Sequence, residues 1–333
     1  VSALDGNSTT GLLEAGVAEF GGRAYGLEPL VLPPDPVRGS GDAHLTRRYA
    51  ELLGPGAGPD AEPPRAPGAL GPLKAADSEE ELFWFRWITG HQVTFLLWRE
   101  LGRRAAEAVA PAPPDEVAAV TRLVRGYSAM LLYTASCTRD VYHRIVRPSM
   151  ALHHPAFSGA WARDYGPVRA LLRGRLPAAW SDGAEALLNE CALNEVVHEG
   201  IATKLVPDAP SLLQTAAGNG RTLPRDVRAV LFDTYFLTLR APCSPTEVAA
   251  QLLRRIRAVR EDLAVNDLYP AGTSSRAEKP DTLRTERVVG IERAVPRLLA
   301  SIARDSVRRI APEAPAPTRA FEHPLEGSGS HGA

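Results

Sequence analysis

The residues in this chain best suited to proton or metal chemistry are its histidines, and five of the eight stand in informative surroundings: His91, His143, His153, His154 and His198. His44, His323 and His331 lie in polar or low-complexity sequence and read as surface. An imidazole titrates near neutrality and ligates metals through a neutral ring nitrogen, so a histidine set in an apolar wall is a candidate for either task. His91 stands in the middle of Trp84, Trp87, Ile88, Thr94, Phe95 and Trp98, spaced at three- and four-residue steps, which puts them all on one helical face. Its ordinary reading is a core histidine satisfied by a backbone carbonyl. Its functional reading is a base set in an aromatic pocket. His198 stands mid-helix among Leu187, Leu188, Cys191, Asn194, Ile201, Ala202 and Leu205 at helical spacing. It is the best candidate metal ligand, against the ordinary reading of a buried structural histidine.

Helices must position these side chains. Ser78 followed by Glu81 matches a capping box and opens a helix over 78–109, with Arg86, Arg99, Glu100, Arg103 and Arg104 mostly off its aromatic face. Past PAPPDE (111–116), a second helix is predicted from about Asp115 to Met150, with His143, Arg144 and Arg147 near its end and Pro148 stopping it. His153 and His154 precede Pro155 and fall in a loop or a helix terminus. Further helices are expected over 160–174, 182–205, from a Thr222 cap through AVLFDTYFLTL, from Ser244-Pro245-Thr246-Glu247 to about Ala264, and over 282–310. No alternating strand pattern of useful length is present, so the fold class is all-α. Residues 1–77 read as an arm with short helices near 10–20 and 44–53 and a Pro/Gly-rich linker over 54–72. Residues 78–312 form the helical catalytic domain, and 313–333 a disordered tail.

Composition narrows the function classes. The 333 residues carry 38 Lys+Arg against 39 Asp+Glu, a formal charge of −1, so no basic field argues for nucleic acid or an anionic membrane. All five tryptophans lie between Trp84 and Trp180, which marks where the pocket is. Cys137, Cys191 and Cys243 form neither a zinc pattern nor a disulfide framework, and Cys-x-x-Cys-His is absent. Without a signal-peptide pattern or a membrane-length apolar run, the expected location is the cytoplasm.

The string FWFRWITGHQVTFLLWREL resembles the distal-histidine helix of tryptophan 2,3-dioxygenases, through Phe83, Phe85, His91, Gln92, Leu97 and Trp98. VYHRIVRPSMALHHPAFSGAWARDYGPVRALL resembles the stretch of those enzymes in which an arginine precedes a Ser-Gly turn, here Ser158-Gly159. Their glycine- and threonine-rich loop has only a remnant here, GNGRT (218–222). GHQVTFLLW, the paired histidines before PAFSGAW and the Ala/Arg/Pro-heavy composition are closer to a related family, the haem-dependent L-tyrosine 3-hydroxylases of actinobacterial antibiotic pathways.

That resemblance implies conversion of L-tyrosine to L-DOPA by hydrogen peroxide on a histidine-ligated b-type haem. His91 would be the distal base and His198 the axial ligand of the iron. Trp87, Phe95 and Ala202 would lie against the macrocycle, and Ser158 and Gly159 beside the substrate. The carboxylate would be held by Arg144 or Arg147, while His154 or His153 would meet the phenol. Some members attach a haem vinyl through a cysteine four residues after the ligand. Here that position is Ala202, and Cys191 lies two turns the other way, so a non-covalent haem is expected. A homo-oligomer, with the arm reaching a neighbouring pocket, is the assembly the dioxygenases suggest. The alternatives are a haem enzyme acting on an indole amino acid, a non-enzymatic helical haem-binding or interaction protein, and an iron triad of His143, His153 or His154 with Asp164.

Overall fold

A helix buried on all sides needs apolar residues all round it, and the stretch after Ser78 has them. The computed structural model describes residues 25–34, 76–110, 112–181, 183–207, 212 and 223–310. In it this stretch is α1 (Glu79–Ala106), 28 residues long. The Ser78 hydroxyl accepts from the Glu81 amide at 3.1 Å, as the capping box requires, while the Glu81 carboxylate reaches the amide of Asp77 instead of Ser78. The aromatic stripe is only part of what is buried. Arg86, expected off the buried face, is fully enclosed and ion-paired to Asp262 at 2.8 Å. Its remaining donors reach Ser136 Oγ and the carbonyls of Asp267 and Leu268, which is what lets a guanidinium stay buried.

α2 (Pro114–Thr134) crosses α1 at Gly90. A Cβ at Gly90 would stand 2.4 Å from Thr134 Cγ2, so the residue before His91 is a glycine because two helices touch there. The single second helix expected to Met150 is broken after Thr134. Thr134 and Ser136 turn their hydroxyls back onto the carbonyls of Leu131 and Tyr133, offering the backbone an alternative to helix. Thr138 then caps a new start, α3 (Arg139–Val141). This runs through a π-helical turn (Tyr142–Val146) into α4 (Arg147–His153). Pro148 begins α4 instead of ending a helix, because the first turn needs no amide from it. The Arg147 amide bonds to the Tyr142 carbonyl five residues back, and such π turns frequently mark functional sites.

The remaining helices are α5 (Tyr165–Leu172), α6 (Glu185–Leu205), α7 (Arg225–Tyr235), α8 (Pro245–Asn266) and α9 (Glu286–Ile310). The complete capping box at Ser244 and Glu247, with Pro245 at the first position, starts α8 as the sequence signals. α1 packs on α2, α5 and α8, and α2 in turn on α6 and α9. On α6, Leu187, Cys191, Asn194 and Leu205 of the expected face are buried and are joined by Glu190, Val197 and Lys204, whereas Leu188, His198 and Ala202 of that face are exposed. Lys204, its pKa lowered to about 8 by burial, caps the end of α2 through the carbonyls of Ala135 and Cys137. Gly200 on the same helix lies where an added Cβ would meet Leu283 at 2.6 Å.

The architecture is all-α with one small addition. The end of AVLFDTYFLTL, expected to be helical, turns at Leu237 (φ 50°) into β2 (Thr238–Arg240). β2 pairs in parallel with β1 (Leu30–Leu32), Leu30 opposite Thr238. Leu30 and Leu32 are fully buried, and the Gln251 side chain bonds both the amide and the carbonyl of Val31 at 2.7 Å. This part of the expected arm is therefore stitched into the helical body. The helices expected near 10–20 and 44–53, the linker over 54–72, the cap at Thr222 and the tail from 313 lie outside the described residues. No helix among the described residues is long and apolar enough to cross a membrane.

Candidate functional site

The open face of α6 and the aromatic face of α1 enclose a cavity of about 610 Å³, within the usual range of roughly 300–1,000 Å³ for small-molecule and cofactor sites. His91 and His198 both line it, as do Trp87, Arg147, Ser158, Gly159 and Ala202. Residues that the sequence scattered over more than a hundred positions thus share one space. Phe95 does not line it. It is buried behind the wall against Phe232 and Phe236, and its α1 neighbours Thr94 and Trp98 take the lining positions.

The geometry of His91 satisfies both of its readings. Its Nδ1 lies 2.6 Å from the Trp87 carbonyl, which can only accept, so Nδ1 carries the proton and Nε2 keeps a lone pair. The ring stacks on Phe236 at 4.4 Å and leans on Trp87 at 4.3 Å. Desolvation by this apolar surround lowers its pKa to about 4, outweighing the opposite effect of the carbonyl, so the imidazole is neutral at physiological pH. Gln92, the next residue, donates to the carbonyls of Phe236 and Glu28 and accepts from Arg255. The His-Gln pair therefore divides the work: His91 faces the cavity, and Gln92 fixes the ring stacked on it.

A second chain of hydrogen bonds backs the same wall. Trp87 Nε1 donates to the Tyr235 hydroxyl at 3.1 Å, and Tyr235 lies 2.7 Å from Ser149 Oγ. Ser149 donates its own proton to the Val146 carbonyl, so Tyr235 is the donor to it. Burial raises the Tyr235 pKa to about 12 and keeps this phenol neutral. Sequence reading missed Tyr142, Tyr235, Phe232 and Phe236. The aromatic-rich FDTYF over 232–236 is the available signal.

The two candidate arginines are separated by the π turn. Arg144 is exposed and pairs with Glu80 at 2.8 Å and Asp140 at 3.1 Å, holding the turn to the start of α1. Arg147 is half-buried in the cavity wall and hydrogen-bonds Tyr142, another lining residue. His154 lies outside the lining. Its Nδ1 accepts from the Ala156 amide at 3.0 Å and its ring abuts Trp161, which turns the chain toward Ser158-Gly159. His153 packs against Tyr235, and His143 bonds the Leu205 carbonyl. Asp164 and Asp233 both grip Arg240, at 2.7 and 2.8 Å, and this buried cluster ties the segment after Gly159 to α7. Asp164 is thus committed, and no group of three His, Cys, Asp or Glu residues able to hold a metal ion exists among the described residues. That disfavours the iron triad.

A flat cofactor held by one axial imidazole fits what is left. His198 has no hydrogen-bond partner among the described residues and looks into the cavity beside small Ala202. The buried indole nitrogen of Trp98, also in the wall, is unpartnered. Cys137, Cys191 and Cys243 are free thiols and none lines the cavity. No curated protein matches the chain. Residues 38–192, a little under half of it, match a protein family described as SfmD 3-methyl-L-tyrosine peroxygenase. By that similarity, on a mostly helical fold, the chain is an oxidoreductase of the peroxygenase type, similar over residues 38–192 to a family named for 3-methyl-L-tyrosine.

Proposed function

We propose that this chain binds haem b without a covalent link and uses hydrogen peroxide to hydroxylate the ring of a tyrosine-type amino acid, 3-methyl-L-tyrosine or L-tyrosine itself. The observation that carries the reading is the meeting of His91, His198 and Arg147 on one largely apolar cavity. His198 would be the axial ligand, with Ala202 one turn on leaving room for the macrocycle, and Trp87 would lie along its edge. When bound, the haem supplies the two-electron cleavage of the peroxide O–O bond.

The protein's part is proton placement and orientation. His91 Nε2, with its lone pair, accepts a proton from one peroxide oxygen and returns it to the other, which leaves as water. One oxygen atom remains for the ring, so peroxide and arene give phenol and water. Moving a proton through one positioned base contributes roughly 10²–10⁴-fold. The low pKa of His91 keeps the base available across the physiological range. Arg147, in the wall, would fork onto the amino-acid carboxylate, and Ser158-Gly159 would allow the backbone close to the substrate. The aromatic walls exclude water from the reacting atoms.

The test is expression with haem supplementation, followed by incubation with peroxide and each of 3-methyl-L-tyrosine, L-tyrosine and L-tryptophan. A Soret band and a product heavier by one oxygen from a tyrosine-type substrate are expected. Absence of haem uptake, or turnover of tryptophan alone, would overturn the reading. His198→Ala should lose haem or change its absorption spectrum drastically, and an unchanged spectrum would refute that ligand. Acid–acetone extraction should remove all haem from the chain.

A further inference from the structure

A second hollow of about 390 Å³ lies beside the main cavity. The two share Trp98, Tyr127, Ser158, Gly159 and His198, so they adjoin along the wall that holds the candidate ligand. His91, Arg147 and Phe236 line only the main cavity; Arg169, Arg173 and Glu195 line only the annex. Arg169 and Arg173 lie at i and i+4 across the end of α5, neighbours on one helical side with Cβ atoms about 5–6 Å apart. Among the described residues neither guanidinium has an ion-pair or hydrogen-bond partner. Three neighbouring arginines are engaged: Arg99 and Arg240 with Asp164, and Arg163 with Asp233. Glu195 is the only acid lining the annex among the described residues, and it pairs with neither arginine.

Two adjacent cations without counter-ions, facing a hollow, call for a ligand with two adjacent anionic groups. An aromatic amino acid does not meet that description, since it carries one carboxylate and one ammonium. Its reacting ring must also lie beside His91, which the annex does not include. A haem edge does meet it, because its two propionates leave neighbouring positions of one ring. A macrocycle ligated by His198 can run from the main cavity into the annex, with Trp98 and Tyr127 lining both. We propose that Arg169 and Arg173 form a clamp for the two haem propionates, an assignment that rests on the haem reading above. It places the charged edge of the cofactor on the α5 side, away from Arg147, and so leaves Arg147 to the substrate.

The experiment compares haem with its dimethyl ester, which has the same macrocycle without the negative charges. Each is loaded into the wild-type protein and into R169A/R173A, and its transfer to apomyoglobin is timed. Charge-assisted pairs at an open hollow are expected to be worth about tenfold each in rate of loss, weakening with salt. Wild type should therefore release the ester about 100-fold faster than haem, and R169A/R173A should release both at the same rate. R169K/R173K should recover part of the discrimination. Equal release of haem and ester from wild type, or undiminished discrimination in R169A/R173A, would overturn the clamp. Both arginines are exposed, so the variants should keep the wild-type circular dichroism and melting temperature; should R169A/R173A lose them, R169Q/R173Q carries the same comparison. A wild-type protein that shows no Soret band removes the haem reading itself. One that shows the band but no discrimination removes only the clamp.

Discussion

The two sides of α1 treat polar groups in opposite ways. On one side, Arg86 is completely enclosed, yet its donors are met by Asp262, Ser136 and two carbonyls, and Tyr133 adds a bond to the same aspartate at 2.8 Å. On the other side, five residues on, His91 has one nitrogen fixed at 2.6 Å on Trp87 and the other turned to an open cavity. His198 across that cavity, and the Trp98 indole on α1 itself, also lack hydrogen-bond partners among the described residues. Saturation marks structure, since a buried unmet donor costs about 1–3 kcal/mol. Polar atoms are left open elsewhere too, Thr89 Oγ1 on α1 and Trp180 Nε1 among them, so it is the meeting of several open ones on a single cavity that marks where a ligand is meant to come. The contrast is therefore a physical argument for which polar residues act and which only hold.

It can be broken at several points. Arg86→Ala strands Asp262 and should cost about 3–5 kcal/mol of stability, read by denaturant titration. A loss under 1 kcal/mol would show that this side is not a closed network. His91→Ala should lower peroxide-driven turnover by ~10²-fold or more while haem content and melting temperature change little. Near-normal rates would return His91 to a packing role. Arg147→Ala should raise the KM for the tyrosine-type substrate by roughly tenfold to a hundredfold, the value of a charge-assisted fork of ~1.5–3 kcal/mol. Arg144→Ala, which breaks only exposed pairs, should leave KM within about twofold. The reverse order would place the carboxylate on the other side of the π turn.

The smallest expected effect is on acid stability. His91 has a folded pKa of about 4, below the ordinary value near 6.5. Above pH 6.5 it is neutral in both states and has no effect. As pH falls from 6.5 toward 4 the unfolded chain takes a proton that the folded one refuses, so stability is lost over that window, by about 1–3 kcal/mol. His91→Gln should flatten that part of the curve. An unchanged slope in the variant would assign the acid sensitivity to other groups.

Much of this was legible in the sequence where local chemistry decides. The Ser78 and Ser244 starts and the helical class followed from caps and periodicity, and a family resemblance grouped His91, His198, Trp87, Ala202, Ser158 and Gly159, which line one cavity. Long-range pairing was not legible. Nothing in the periodicity of α1 shows that Arg86 turns inward, because its partner Asp262 lies 176 residues away. The choice between Arg144 and Arg147 depended on the π turn, which changes the helical phase between them and has no simple sequence signature. On α6, Glu190 and Lys204 escaped the buried set because they look like surface residues until their partners are seen. Phe95 looked like cavity wall because spacing gives the side of a helix but not the depth behind it.

The short parallel pairing of β1 with β2 has a consequence for how the chain is made. Gln251, which clamps Val31, follows it by 220 residues. At a synthesis rate of about 5–20 residues per second, β1 waits roughly ten to forty seconds on the ribosome before its clamp exists. During that time Leu30 and Leu32, which the finished protein hides completely, have no partner strand to dock on. Final closure of the fold is thus tied to late events in translation, and a nascent chain arrested before Gln251 should leave this segment open to proteases that the complete protein resists.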